Sequence, residues 1–441
     1  MVKYRKYWNE RMETLSPEEL YEVHSRALLN ELAYIWKNSV FYQEKFRQAG
    51  IELGDIKELE DIEKLPFTEK SELRKSLESS PPLGKHAATD INNVIRIYST
   101  SGTTGIPTYI GLTAHDRDVW RETAMRAMWT CGMRPHNIVP LPIGTFFIAA
   151  SYGEAIESLG ATLVPVGVGA TDRLLAALNN LGADFILSTA SFPLYLIDYC
   201  QKKGLDPQSL GIKGFMLGGE PGAGIPHIRR RIEKTFAANV QETMGNGDML
   251  GLMWAECEYK KGMHFIAQGA CHPEIIDPDT GEVMAIRKGV KGEMVYTSLD
   301  RECEPLIRFR SREQVEVIQT ACECGRRGYC IRCVGRTDDM LIISGVNVYP
   351  SAVRDVVGTL TPRVTGEIVV QLQEPPPSVK PPMKIKIEHG EDPGDLAKLK
   401  SEIERLLREK LIFSSDVELV PPGTLTKYEY KARLVEKTYE K

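Results

Sequence analysis

One stretch narrows the possible folds more than any other: Tyr98-Ser99-Thr100-Ser101-Gly102-Thr103-Thr104-Gly105-Ile106-Pro107-Thr108. It follows an extended run over residues 94–98. Its glycines permit tight turns and close approach of backbone to a ligand. Its hydroxyls and amide N–H groups can cradle a chain of phosphates. No Gly-Lys-Ser/Thr closes it, so it is not the usual P-loop. The plainer alternative is a polar turn, but this density of hydroxyls before Gly-x-Pro favours the phosphate reading.

Around that loop the pattern is one of strands alternating with helices. Strands are expected over residues 94–98, 137–141, 161–166, 184–188 and 214–218, and helices over 170–181 and 192–202. This alternation predicts an α/β fold with a parallel sheet flanked by helices and ligands at the carboxyl ends of the strands. Ahead of it, Ser16-Pro17-Glu18-Glu19 is a helix start: a Ser cap, Pro at the first position and acids against the positive end. Leu28, Leu29, Leu32, Ile35 and Trp36 recur at helical spacing, and Phe41, Tyr42 and Phe46 mark a second short helix. Residues 65–70 read as a loop leading into a further helix. A strand-rich stretch covers 263–317, with a turn at 276–281. After a boundary near 336 come a helix (350–360), a strand (367–373), a proline-rich turn (375–382), a strand (383–388), a helix (394–409) and a last strand (417–420). The expected organisation is therefore a large N-terminal domain, 1–335, with helix-flanked sheets, and a small mobile α+β C-terminal domain, 336–441.

The bulk properties exclude some classes. The chain has 441 residues, 42% hydrophobic and 26% charged, with a net charge of −5. Mild acidity argues against a nucleic-acid partner, which a basic face would serve. No apolar run is long enough to span a bilayer, and residues 1–10 carry no apolar signal core, so no membrane association and a cytoplasmic location are expected. Nine cysteines in a chain this long do not make a disulfide scaffold; their clustering points to metal or to reduced thiols.

Several segments together carry a resemblance. They are 38–42 (Asn-Ser-Val-Phe-Tyr), 65–70, the 99–107 loop, Leu217-Gly218-Gly219-Glu220-Pro221 and Glu274-Ile275-Ile276-Asp277-Pro278. Pro305-Leu306-Ile307-Arg308-Phe309-Arg310, Gly335-Arg336-Thr337-Asp338-Asp339 and Gly345-Val346-Asn347-Val348-Tyr349-Pro350 continue it. In this order the chain resembles the adenylate-forming superfamily, and within it the phenylacetate–CoA ligase group, along essentially its whole length. The resemblance implies an AMP-forming acid–CoA ligase. A carboxylate attacks the α-phosphate of ATP and releases pyrophosphate; the C-terminal domain then rotates and the thiol of coenzyme A attacks the acyl-adenylate. The implied acid is an aryl acid such as phenylacetate or benzoate, and ATP, Mg²⁺ and coenzyme A are the implied cofactors and partners. A homodimer is common in the group.

Carried over residue by residue, the resemblance implies that Ser99, Thr100, Ser101, Gly102, Thr103, Thr104 and Gly105 hold the β- and γ-phosphates. Gly218, Gly219, Glu220 and Pro221 line the adenine slot. The run Glu242-Thr243-Met244-Gly245-Asn246-Gly247-Asp248 stands where the group has an aromatic-Gly-x-Thr/Ser-Glu motif, so Glu242, Thr243 and Met244 are assigned to the nucleotide. Asp248 then takes the place of the metal-binding glutamate, one methylene shorter; a turn acid is the alternative. Glu313, in Ser311-Arg312-Glu313 where the group has Thr-Gly-Asp, takes the ribose together with Arg336. Ile106 stands where the group commonly has Lys. Asp338 matches the hinge and Lys431 the catalytic lysine of adenylation, on a basic tail that would otherwise be merely solvated. Residues 142–150 are expected to line the acyl pocket.

Thiolate and imidazole ligands suit tetrahedral Zn²⁺. Cys257 and His264 are separated by six residues, and Cys322, Cys324, Cys330 and Cys333 follow. The resemblance selects Cys257, His264, Cys322 and Cys324 as a structural zinc site; Cys322, Cys324, Cys330 and Cys333 as a four-thiolate knuckle, or unmetallated thiols, are the alternatives. Two other functions stay open at this stage. One is an adenylating enzyme for a short aliphatic or hydroxy acid, or one that loads a carrier protein. The other is a zinc-binding interaction protein without activity.

Overall fold

The computed structural model describes residues 4–99, 108–144, 148–344, 346–426 and 433–440, with backbone alone for Ile148, Asp338, Asn347 and Glu440. The first long helix, Pro17–Asn38, begins where its cap chemistry predicts. Ser16 Oγ accepts from Glu19 N at 3.2 Å and Glu19 Oε2 accepts from Ser16 N at 2.8 Å, which satisfies donors that a helix start leaves open. Its apolar stripe of Leu28, Leu32 and Ile35 packs on Tyr42 and Phe46 of the helix Val40–Gln48, on Leu59, Ile62 and Leu65, and on Leu299 and Ile307. The N-terminal helices are thus seated on the main sheet. Thr68 continues the attachment as a parallel bridge to Phe309: Thr68 N donates to Arg308 O and Arg310 N to Thr68 O, both at 3.0 Å. That bridge places Lys70, the first residue of the helix Lys70–Ser79, near the N-terminal end of the interior strand Phe309–Gln319.

The main sheet has nine strands, in the order Cys271–Ile276, Lys291–Ser298, Phe309–Gln319, Cys330–Arg336, Met263–Phe265, Leu250–Glu256, Asn239–Asn246, Gly214–Leu217 and Phe185–Ser188. The last three run parallel and the rest antiparallel. The predicted strands near 137–141 and 161–166 are Ile138–Leu141 and Thr162–Pro165, paired parallel. Asp184 ties them to Phe185–Ser188: its amide donates to Ile138 O at 3.0 Å and its carboxylate accepts from Ile138 N at 3.2 Å. The expected helices appear as Thr171–Leu181 and Ser191–Lys203.

Two elements of this part of the chain differ from expectation. The strand expected over 94–98 is Arg96–Ser99, and it is not a strand of the parallel sheet. It pairs antiparallel with Tyr109–Leu112, with Ser99 opposite Tyr109, so the two flanks of the hydroxyl-rich segment are paired with each other. Tyr98, Ile110 and Leu112 bury one face of that ribbon in the same core as Trp254 and Tyr296, which is why it stays attached to the main sheet without joining its ladder. The strand Asn239–Asn246 reads as polar in sequence, and only its buried setting makes it a strand. There Gly245 is required by contact: a Cβ would lie 1.9 Å from Gly251 O on the neighbouring strand.

Residues 341–439 carry their own apolar core, with the helices Pro350–Gly358 and Leu396–Leu411 on a four-stranded sheet. Its order is Ser415–Val420, Met383–His389, Val364–Leu372, Val435–Lys437. The edge strand Val435–Lys437 lies beyond the last strand read from the sequence. The proline-rich segment is also more than a loop, since Ser378–Val379 pairs parallel with Leu341–Ile343. Among the described residues no helix is long and apolar enough to cross a membrane.

Candidate active site

Asp248 lies in the turn between Asn239–Asn246 and Leu250–Glu256, where Asn246 Oδ1 accepts its amide at 3.0 Å. Its carboxylate pairs with Lys70 Nζ, which also donates to Thr108 Oγ1 at 2.7 Å. A cation, an acid and the residue that closes the hydroxyl-rich segment therefore converge. Nothing in the sequence assigns Lys70 a role, because residues 70, 108 and 248 share no local pattern. Beneath them, buried Arg301 donates through Nη1 to Asp248 O, and to Met249 O at 3.0 Å. Thr100–Gly105, residues 145–147 of the expected acyl pocket and Lys431 lie outside the described residues.

The strand that ends at Asn246 also floors the expected adenine slot. Gly218 follows the strand Gly214–Leu217, and a Cβ on it would lie 2.6 Å from Thr243 Oγ1 and 2.7 Å from Thr243 O. Only glycine lets the two backbones come this close. Gly219 adopts φ 79°, and Glu220 Oε1 accepts from Ser191 N at 2.7 Å, which joins the turn to the helix Ser191–Lys203. Pro221 continues this turn. Glu242, assigned with Thr243 and Met244 to the nucleotide, lies on the strand Asn239–Asn246. Its carboxylate turns inward to accept Gly224 N–H at 2.7 Å, and it is buried. Burial, and then the carboxylate of Glu256, push its pKa up to about 7. Met244 is likewise in the apolar core, and Thr243 Oγ1 donates to Leu217 O at 3.3 Å. These three residues support the slot from below.

Glu313 and Arg336, far apart in sequence, are register partners on Phe309–Gln319 and Cys330–Arg336. Glu313 N donates to Ser311 Oγ at 3.1 Å. Beside them lies Cys333, whose thiol burial pushes up, with the Glu313 and Glu242 carboxylates adding to the rise. Arg336 then leads directly into the 3₁₀ turn Thr337–Asp339, which joins the nine-stranded sheet to Leu341–Ile343. Gln314 Nε2 holds the turn through Thr337 Oγ1 at 2.8 Å.

The cysteine–histidine cluster stands apart from that site. His264 Nε2 is 3.4 Å from both Cys257 Sγ and Cys324 Sγ, and Cys257 Sγ is 3.8 Å from Cys322 Sγ. The four ligand atoms lie within 4.8 Å of one another. A tetrahedral Zn²⁺ with ordinary bond lengths has S···S edges of about 3.8 Å and N···S edges of about 3.6 Å, so this donor set fits the ion in kind and in spacing. The four-thiolate alternative is not assembled. Cys330 Sγ sits 3.5 Å from His264 Nδ1, but Cys333 Sγ faces Gly335 O instead. Around the cluster, Tyr7 Oη donates to Cys324 O at 2.8 Å, and Arg326 pairs with buried Glu13 at 2.7 Å. The N-terminal segment is thereby fastened to it.

With this geometry in hand, comparison with known proteins is decisive. Residues 345–437 match the AMP-binding enzyme C-terminal domain family. Phenylacetate–coenzyme A ligase of Pseudomonas putida is 34% identical over 350 residues, 78% of this chain and 76% of that protein. The phenylacetate–coenzyme A ligase of Thermus thermophilus is 31% identical over 434 residues, 93% of this chain and 95% of that one. The chain belongs to the phenylacetate–coenzyme A ligase family. The ligase is an enzyme that activates an acid with ATP to the acyl-adenylate and then forms the thioester with coenzyme A. Among solved structures, it resembles 2-hydroxyisobutyryl-CoA ligase in the postadenylation state with 2-HIB-AMP, at 27% identity and TM-score 0.90 over 99% of this chain and 93% of that one. Against the same relative in the thioesterification state the TM-score is 0.72. The chain therefore superposes better on the postadenylation form of that relative than on its thioesterification form.

Proposed function

We propose that the ligase acts on an aryl acid of the phenylacetate type. The similarity to phenylacetate–coenzyme A ligases over most of the chain supports this reading. The convergence of Lys70, Thr108 and Asp248 at the closed end of the hydroxyl-rich segment supports placing adenylation there. In step one, residues 99–105 donate to the β- and γ-phosphates and Lys70 offsets their charge. Asp248 would hold Mg²⁺, which when bound neutralises phosphate charge as two anions meet. Glu313 and Arg336 take the ribose, the 218–221 turn takes the adenine, and Lys431 supplies a cation where charge develops on the phosphates. The acid's oxygen bonds to the α-phosphorus and pyrophosphate leaves. In step two, 336–441 swings about Asp338 relative to 1–335 and Lys431 withdraws. The sulfur of coenzyme A then bonds to the acyl carbon as its proton is lost, and AMP leaves. Cys257, His264, Cys322 and Cys324 would hold a structural Zn²⁺, since a closed four-ligand site has no position for substrate. We further propose a cytoplasmic homodimer.

A second reading has its own support. The similarity to 2-hydroxyisobutyryl-CoA ligase spans almost the whole chain, which favours a short branched hydroxy acid as the alternative substrate. Steady-state kinetics with phenylacetate, benzoate, 2-hydroxyisobutyrate and acetate, following AMP and thioester together, separates the two. The aryl acids should give the highest kcat/KM. A preference for 2-hydroxyisobutyrate by tenfold or more would replace the first reading with the second.

A further inference from the structure

Arg301 is a buried cation with an unusual set of partners. It is 4% exposed, and its guanidinium carbon lies 5.8 Å from the centre of the Trp120 ring. Its Nη1 donates to two consecutive carbonyls, those of Asp248 and Met249. Among the described residues it salt-bridges no carboxylate, although Asp300, Glu302 and Glu304 are its neighbours in sequence. Its backbone is rigidly held. Glu302 N and Cys303 N donate to the Asp116 carboxylate at 2.7 and 3.0 Å, and Arg301 N to Glu31 Oε2 at 3.4 Å. Burying a guanidinium is costly unless its interactions compensate. Here its hydrogen bonds go to two consecutive carbonyls, the first of them belonging to the acid that pairs with Lys70.

Resting on the reading of Asp248 as the metal-side acid, we propose that Arg301 is its positioning residue. An aspartate one methylene shorter than glutamate can serve the same metal only if its backbone is held at the right place. Arg301 supplies that hold from a fixed segment by clamping the 248 and 249 carbonyls, while Lys70 engages the carboxylate. The carboxylate is then aimed at the phosphates without a direct bond from Arg301 to substrate. Partners that orient a metal ligand in this way typically control affinity by about 10- to 100-fold.

The test uses the full-length enzyme with Mn²⁺ as the metal probe and a non-hydrolysable ATP analogue, reading bound Mn²⁺ by electron paramagnetic resonance. Arg301→Met should weaken Mn²⁺ about tenfold and raise by a similar factor the Mg²⁺ needed for half-maximal pyrophosphate exchange. Thioester formation from pre-made acyl-adenylate should stay within about threefold of wild type, because the metal has left its task by then. Arg301→Lys keeps a buried cation near both carbonyls and should recover part of the affinity. Asp248→Glu in the Arg301→Met background should recover more, since the longer arm tolerates a looser backbone. If Arg301→Met and Arg301→Lys both bind Mn²⁺ as wild type while Asp248→Asn loses it, the positioning role is wrong and the Asp248 reading stands. If Asp248→Asn itself binds Mn²⁺ as wild type, that reading fails and takes the proposal with it. Should Arg301→Met not fold, Arg301→Lys decides alone: wild-type Mn²⁺ affinity in it overturns the proposal.

Discussion

Replacing Lys70 by Met tests whether the cation beside Asp248 serves chemistry or merely structure. The side chains of Lys70 and Asp248 are 25% and 14% exposed. In that setting a full charge about 4 Å from a phosphate oxygen interacts by about 4 kcal/mol at an effective dielectric near 20, and partial solvation reduces this. Removing one preorganised donor from a transition state commonly costs about 10²–10³ in rate, or about 2.7–4 kcal/mol. The expected result for Lys70→Met is a fall of about 10² in kcat for acid-dependent pyrophosphate exchange. Folding should lose no more than about 1 kcal/mol, because a partly exposed pair contributes little. Thioester formation from pre-made adenylate should change less than threefold, since no pyrophosphate is present in that step. Rapid-quench measurement of each half-reaction, with a thermal melt alongside, reads all of these. Equal losses in both half-reactions would mean that Lys70 acts on the fold, and an unchanged exchange rate would remove it from the phosphate site.

Cys322→Ser should lower zinc content from about one per chain and lower Tm with it, because metal binding free energy is folding free energy; metal-free wild-type protein with an unaltered melt would dispose of the zinc site. Gly358→Ala puts a Cβ 1.8 Å from His227 Nε2, where the helix Pro350–Gly358 meets the helix Pro226–Phe236. It should disfavour the observed domain arrangement and slow pyrophosphate exchange more than thioester formation from pre-made adenylate, and equal effects on the two would count against that contact as a determinant of the pose. Glu31 is buried, which pushes its pKa up to about 8 from 4.5. Between those values the folded state holds a proton that the unfolded state has released. This group's contribution to stability therefore falls as pH rises from about 4.5 to about 8 and stays low above. Glu31→Gln should thus stabilise the protein at pH 8.5 relative to wild type, by a few kcal/mol at most, and much less at pH 5; denaturant melts giving the same difference at both pH values would refute the buried neutral acid.

Much of the fold was legible where local chemistry is strong. The Ser16–Glu19 cap, the helical stripes and the α+β order after residue 336 announce themselves through periodicity and capping, which act over a few residues. The strand Asn239–Asn246 did not, since Gln241, Glu242 and Thr243 carry no apolar alternation, and neighbours satisfy the polar groups of Glu242 and Thr243 only once the fold is formed. The candidate site divides in the same way. The glycine-rich turn at 218–219 and the hydroxyl-rich segment are local signals. The partnership of Glu313 with Arg336 across two strands, the place of Lys70, and the inward turn of Glu242 are not.

The sequence by itself determined the α/β class, the reaction family and the residue types that a phosphate-binding, acid-activating site and a zinc site require, because composition, capping and motif order are properties of neighbouring residues. Only the tertiary structure decided which of those residues meet. It paired the two ends of the hydroxyl-rich segment through Ser99 and Tyr109, gathered Cys257, His264, Cys322 and Cys324 while leaving Cys333 Sγ against Gly335 O, and brought Lys70 to the carboxylate and Arg301 to the carbonyl of Asp248. The physical reason is separation along the chain. Contacts between residues tens to hundreds of positions apart are set by sheet register and by the packing of buried faces, and neither leaves a trace in any short window of sequence.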